Sequence, residues 1–167
     1  RVIGDYMAVI NSYYSNLIEG NRTRPHEIRE AQLGIFSADP AKRDLQLESI
    51  AHIKVQQWLA QQSLDTGALF SIECIQAIHR EFYQYVPASL RALKNERGEI
   101  IDKVIPGAWR NRQVSVDKHI PPPADDLPVL MQHFFNVYNP GRYSGDKKII
   151  AVLCAHHRLA WLHPFTD

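Results

Sequence analysis

Residues 146–167 read DKKIIAVLCAHHRLAWLHPFTD, and the rest of the chain is best understood outward from them. Ile149, Ile150, Val152, Leu153, Leu159, Ala160 and Leu162 make 146–162 apolar nearly all round, the pattern of a helix at the centre of its domain. Asp146 is a candidate cap. His163 precedes Pro164, whose ring disfavours helical geometry at the residue before it, so the helix should end there. A histidine then stands at the mouth of an apolar helix, with an acid, Asp167, four residues on. One reading is a general base beside a cation site. The other is a histidine meeting the end carbonyls and a polar loop aspartate, and the residues alone favour this second reading. A zinc cluster of His156, His157 and His163 fails on distance. His156 and His163 are two helical turns apart, roughly 10 Å, too far for one ion.

The upstream chain also reads as helices. Ile3, Met7, Ile10, Tyr14, Leu17 and Ile18 recur at helical spacing over about 3–19, and Gly20 is a stop signal. Pro25 opens a short helix with Gly34 past its end. Asp39-Pro40 is a cap and first-turn proline. The helix it starts runs to about Gln62, with Leu47, Ile50, Ile53, Trp58 and Leu59 near one stripe. Ser71 opens another through Tyr83, and a further helix is expected over about 125–138. Residues 98–116, GEIIDKVIPGAWRNRQVSV, cluster β-branched residues around Pro106-Gly107 and read as an irregular β-hairpin. Pro121 to Pro123 exclude helix interior and serve better as a rigid connection than as a polyproline ligand. The class is all-α with one small protruding hairpin.

Composition sets the outer limits. The 167 residues carry a net charge of +1, so no strong field points to nucleic acid. Arg110 and Arg112 form too short a cluster for a nucleic-acid patch, and solvation suits them better. No apolar run reaches a membrane-spanning length, and no signal-peptide pattern opens the chain, which begins without Met. Cys74 and Cys154 are too far apart in sequence for a metal knuckle, and the default setting is a reducing cytoplasm.

Three segments share a resemblance. His163-Pro164-Phe165-Thr166-Asp167 looks like the first five positions of the Fic motif, HPF-x-[D/E]-G-N-[G/K]-R. Ser15 to Asn21 fits the Fic inhibitory-helix motif, [S/T]-x-x-x-E-[G/N], with Ser15, Glu19 and Gly20 at its defining positions. Pro106 to Arg110, Val114 to Val116 and His119 to Pro122 resemble the target-docking flap of that family. The segments fall in family order and span nearly the whole chain, so the chain resembles a Fic (Fido-fold) domain carrying an N-terminal inhibitory helix. This implies an inhibitory helix over 1–21 and a Fic core over 22–167.

The resemblance implies transfer of AMP from ATP to a Ser, Thr or Tyr hydroxyl of a target protein. His163 would be the general base; a neutral imidazole near pH 7 suits that task. Asp167 would hold Mg²⁺, a hard cation that takes oxygen ligands. Phe165 would be a structural anchor. Val114, Ser115, Val116 and Asp117 would line the nucleotide and target cleft, with an extended target segment docking by strand addition. Glu19 would inhibit, sharing a helix face with Ser15. ATP, Mg²⁺ and a hydroxyl-bearing protein are the implied cofactors and partners, with no membrane and no nucleic acid for this domain and a homo-oligomer left open. AMP removal or another Fic-type transfer is the alternative reaction, and a non-catalytic interaction module on the same fold is the alternative class.

Two departures bear on this. Family members often have Gly at the position of Asp117, so this acid should point away from phosphate. The Gly-Asn-Gly/Lys-Arg half of the motif, which would supply a backbone anion nest and phosphate-binding arginines, is not within residues 1–167. The resemblance therefore implies that the natural protein continues past Asp167, and that residues 1–167 alone do not transfer AMP.

Overall fold

The computed structural model describes residues 2–18, 20, 22–95, 97–116 and 118–166, without the side chains of Val2, Ile3, Asp5, Ile18 and Thr66. It is mostly helical, with one two-stranded antiparallel sheet. Two compact units are formed, one from Arg1–Ser63 and Arg80–Ala92, the other from Leu64–His79 and Leu93–Asp167. The expected division between 1–21 and 22–167 does not follow these units; the first helix shares a unit with the two that follow.

In the first unit α1 (Val2–Ile18) packs on α2 (Pro25–Gln32) and α3 (Pro40–Gln61). The boundaries follow local chemistry. Gly20 takes φ +82 just past α1, which costs a glycine nothing. Pro25 is the first residue of α2, and Gly34 (φ +82) follows its end. Asp39 caps α3 by accepting from the Ala41 N–H at 3.0 Å.

The buried faces differ from the apolar stripes. Met7, Tyr14 and Leu17 of α1 are exposed, while Ala8, Val9, Ser12 and Asn16 are buried. On α3 the buried residues include Gln46, Ser49 and Ile53, and Leu47, Ile50, Trp58 and Leu59 are only half-buried. Small and polar side chains win this interface because their hydrogen bonds are completed inside it. The Ser12 hydroxyl donates to the Ser49 carbonyl at 3.2 Å, and the Asn16 amide donates to Ser49 Oγ at 2.7 Å. Such groups are tolerated in a core once each polar atom has a partner. Ile28, Ile53, Ala8 and Val9 supply the apolar remainder.

The second unit contains α4 (Thr66–Leu69), the start of α5 (Ile72–Tyr85), strand β2 (Ile100–Lys103) with most of its partner β1 (Ala92–Lys94), α6 (Leu127–Val137) and α7 (Gly145–Leu162). Its core is Met131, Phe134, Phe135, Ala155 and Leu162, joined by Phe70, Trp109 and Leu159. Ser71 caps α5, its hydroxyl accepting from the Cys74 N–H at 3.1 Å. Cys74 is buried and Cys154, on α7, is exposed; neither forms a disulfide.

Three expectations need correcting here. The hairpin lies earlier than 98–116. Its turn is built by Asn95, whose side-chain oxygen accepts from the N–H groups of Arg97 and Glu99, and by Gly98 at φ +77. Pro106-Gly107 does form a turn, closed by Ala108 N–H donating to the Ile105 carbonyl, with glycine at the position that needs positive φ. No second strand follows it among the described residues. Second, α7 starts after Ser144, so Asp146 lies in its first turn and does not cap it. Third, α7 is not enclosed. Only Ala155 and Leu162 are buried, and Ile149, Ile150, Val152 and Leu153 are exposed.

Candidate functional site

The end of α7 holds the most constrained backbone in the chain. Helix geometry stops after Leu162, and His163 adopts φ 43, ψ 67, the left-handed region. It is the one non-glycine residue with positive φ among those described. A side chain there meets its own following carbonyl, at a cost of roughly 1–2 kcal/mol. The proline predicted a break at this point, and the left-handed form of the break was not legible.

A surrounding loop holds this turn. Arg110 is 2 % exposed. Its Nε donates to the His163 carbonyl at 2.8 Å, and its terminal nitrogens donate to the carbonyls of Arg112 at 3.1 Å, Pro122 at 2.5 Å and Leu162 at 3.4 Å. Its backbone N–H donates to the Pro164 carbonyl at 2.9 Å. Burial pulls the pKa of this guanidinium below its ordinary value, yet arginine keeps its charge in proteins. The expectation that Arg110 is solvated is thus overturned. Five N–H donors in a rigid fork can be satisfied by carbonyls alone, which a sequence does not announce. Arg112 does face outward, 3.4 Å from Asp102 on β2.

One carbonyl further back, His119 Nε2 lies 2.8 Å from the Trp161 carbonyl. A carbonyl only accepts, so Nε2 carries the proton. On the other side of the turn Phe165 stacks on His79, with ring centroids 3.8 Å apart and planes within 6°, and leans on Trp109 at 4.9 Å. His79 is buried, and its Nδ1 accepts from the Gly107 N–H at 2.7 Å. Arg110, His119 and His79 were missed as site residues. The signal for His79 was a histidine one turn after Ile75 on the apolar side of α5.

The expected residues are placed as follows. His163, Phe165 and Thr166 are half-buried in this turn. Val114 is half-buried and Ser115 and Val116 are exposed in an extended segment that ends in a bridge from Val116 to His119. Among the described residues, Val114 and Ser115 form no backbone–backbone hydrogen bond. Ser15 is half-buried on α1 and Gly20 lies past its end. Glu19, Asp117 and Asp167 lie outside the described residues. No three metal-binding side chains cluster among the described residues, and Mg²⁺ rests on Asp167 alone. No helix of the described residues is long and apolar enough to cross a membrane. Two cavities occur elsewhere. One of about 440 Å³ includes Arg22, Arg24, Glu27, Lys42 and Gln46 in its lining, and one of about 340 Å³ lies among Tyr138, Tyr143, Lys147, Ile150 and Cys154.

The Fic/DOC family model matches residues 69–167, more than half of the chain, and the chain belongs to that family. It is similar to the protein adenylyltransferase Fic of Drosophila virilis, 36% identical over 67 residues, which is 40% of this chain and 14% of that protein. The protein adenylyltransferase Fic of Aedes aegypti is 24% identical over 155 residues, 93% of this chain and 28% of that protein. The crystal structure of a Fic family protein from Desulfovibrio desulfuricans G20 matches with a TM-score of 0.62 at 17% identity, over 98% of this chain and 43% of that one. The chain therefore spans well under half the length of these relatives.

Proposed function

We propose that the full-length protein is a protein adenylyltransferase with His163 as its general base. The observation that carries this reading is the His163 turn itself, fixed at the end of α7 in a Fic-family domain whose relatives bear that name. A target Ser, Thr or Tyr hydroxyl oxygen attacks the α-phosphorus of ATP, its proton passes to the His163 imidazole, and the bond to the β-phosphate's bridging oxygen breaks to release pyrophosphate. Val114 and Ser115 lie in an extended segment, which suits strand addition by an extended target segment. Phe165, stacked on His79, anchors the turn. In this reading Asp167 would hold Mg²⁺, and the cation would offset charge on the phosphates. Glu19, in the Ser15–Gly20 motif, restrains the reaction.

The test is incubation of the full-length protein with ATP carrying a tagged adenosine, with and without cytosolic extract. Self- or target-labelling that falls on the order of 100-fold or more in His163→Ala is expected, the scale of a general base. Labelling by His163→Ala at the wild-type rate would remove the base from the reading. Absence of labelling by the intact protein and by Glu19→Gly alike would favour a non-catalytic module.

A further inference from the structure

We propose that Arg110 is a positioning residue for His163, holding the base in its left-handed turn by gripping the carbonyls that surround it. The inference rests on His163 being the base.

The α7 carbonyls at this end have no partners further along the helix. Three successive ones are instead bonded from one loop. Trp161 is met by His119, Leu162 and His163 by the Arg110 guanidinium, and the next carbonyl, of Pro164, by the Arg110 main chain. The guanidinium also ties this turn to Pro122 and Arg112 in its own loop. Arg110 makes no ion pair among the described residues; each of its described side-chain bonds goes to a backbone oxygen. A buried cation so placed is matched to a particular backbone path. If the turn relaxed to an ordinary extended conformation at His163, the carbonyls of Leu162 and His163 would swing away and leave part of a buried charge unsatisfied. Arg110 thus opposes the strain that the left-handed histidine introduces. Lysine cannot replace it, because one ammonium cannot reach carbonyls spread along two chain segments.

The grip has a second consequence. Arg110 and His119 flank Val114–Val116, the segment on which a target strand would dock. Both anchors hold the α7 end, so the docking segment and the base share one support. Displacing the segment would therefore displace His163.

The test uses Arg110→Lys and Arg110→Ala in the full-length protein, with His163→Ala alongside. For the Arg110 variants, kcat for labelling should fall on the order of 100-fold, as for a catalytic group displaced by an ångström or so, with KM for ATP changed by less than about twofold. Millimolar guanidinium should restore part of the rate to Arg110→Ala and none to His163→Ala. Amide hydrogen exchange at His163, whose N–H donates to the Leu159 carbonyl, should quicken by about tenfold or more while α6 amides keep their rates. An unchanged kcat in both Arg110 variants, with His163→Ala inactive, overturns the proposal. So does a loss of activity that only tracks a loss of folded protein and is not rescued by guanidinium. Were His163→Ala to label normally, the reading of the base would fail; unchanged exchange at His163 in Arg110→Lys would then refute the positional claim by itself.

Discussion

Helices α1 and α7 both end next to a residue of positive φ, and they reach that geometry by opposite means. Past α1 the residue is Gly20, exposed, whose N–H donates to the Leu17 carbonyl at 3.1 Å. At α7 it is His163, half-buried, its carbonyl held by Arg110, with His119 on the Trp161 carbonyl before it and His79 and Trp109 against Phe165 after it. The first end costs little, because glycine takes positive φ freely. The second stores strain and needs a scaffold to keep it. Backbone strain held in place by its surroundings is characteristic of functional positions.

The largest expected effect concerns Glu19, in the motif that Gly20 closes. Glu19→Gly in the full-length protein should raise labelling on the order of 10- to 100-fold. A charge-assisted contact between that carboxylate and a phosphate-binding arginine is worth about 1.5–3 kcal/mol, and each 1.4 kcal/mol or so is tenfold. Equal or lower labelling, with helix content intact, would make Glu19 a surface acid or a participant in AMP removal. An assay on pre-labelled target separates those two.

Next comes the seat of α1. Asn16→Ala should lower stability by about 1–3 kcal/mol, because Ser49 Oγ loses its buried partner. Tyr14→Ser, on the exposed side of the same helix, should change it by less than about 0.5 kcal/mol. Urea midpoints measure both, and equal effects would show the buried face has been misassigned.

A matched pair sharpens the contrast between the ends. At His163, glycine should be more stable than alanine by about 1 kcal/mol, because glycine takes positive φ without the Cβ clash. At Gly20, alanine should be less stable than the native glycine by a similar amount. If His163→Ala matches or exceeds His163→Gly, the left-handed turn is not strained.

The smallest effect is a control away from both ends. His52 packs edge-to-face on Phe82, with ring centroids 5.6 Å apart. Burial holds its pKa below 6.5. The folded state then favours neutral imidazole, and the unfolded chain takes up a proton first as pH falls. Its contribution is complete above about pH 6.5 and is lost as pH drops through that value toward the folded pKa. His52→Phe should flatten thermal stability between about pH 7 and 5.5, whichever residue occupies position 163. An unaltered pH slope would assign the acid sensitivity elsewhere.

Element boundaries were legible because they are local. Gly20, Pro25, Gly34 and His163-Pro164 act through their own backbone, and Asp39 and Ser71 through caps on N–H groups two or three residues on; helices begin or end at or beside each of them. Which side of a helix is buried was less legible, because that depends on partners. Ser12, Asn16, Gln46 and Ser49 look like surface residues until their bonds are seen to close on one another. The apolar run 149–153 looks like core and stays exposed among the described residues. At the site, the motif located His163 and Phe165. Arg110 was hidden because its partners are carbonyls, which every residue has, so no neighbour in the sequence marks it.

The two thiols of residues 1–167 differ in a way that suits optical work. Cys74 is buried, and desolvation raises its pKa, so the reactive thiolate is scarce there. Cys154 is exposed on α7, nine residues and therefore about 13 Å along the axis from His163. A maleimide dye should attach to Cys154 in preference to Cys74. It would give a fluorescent gauge of movement at the α7 end, with no substitution needed in this region.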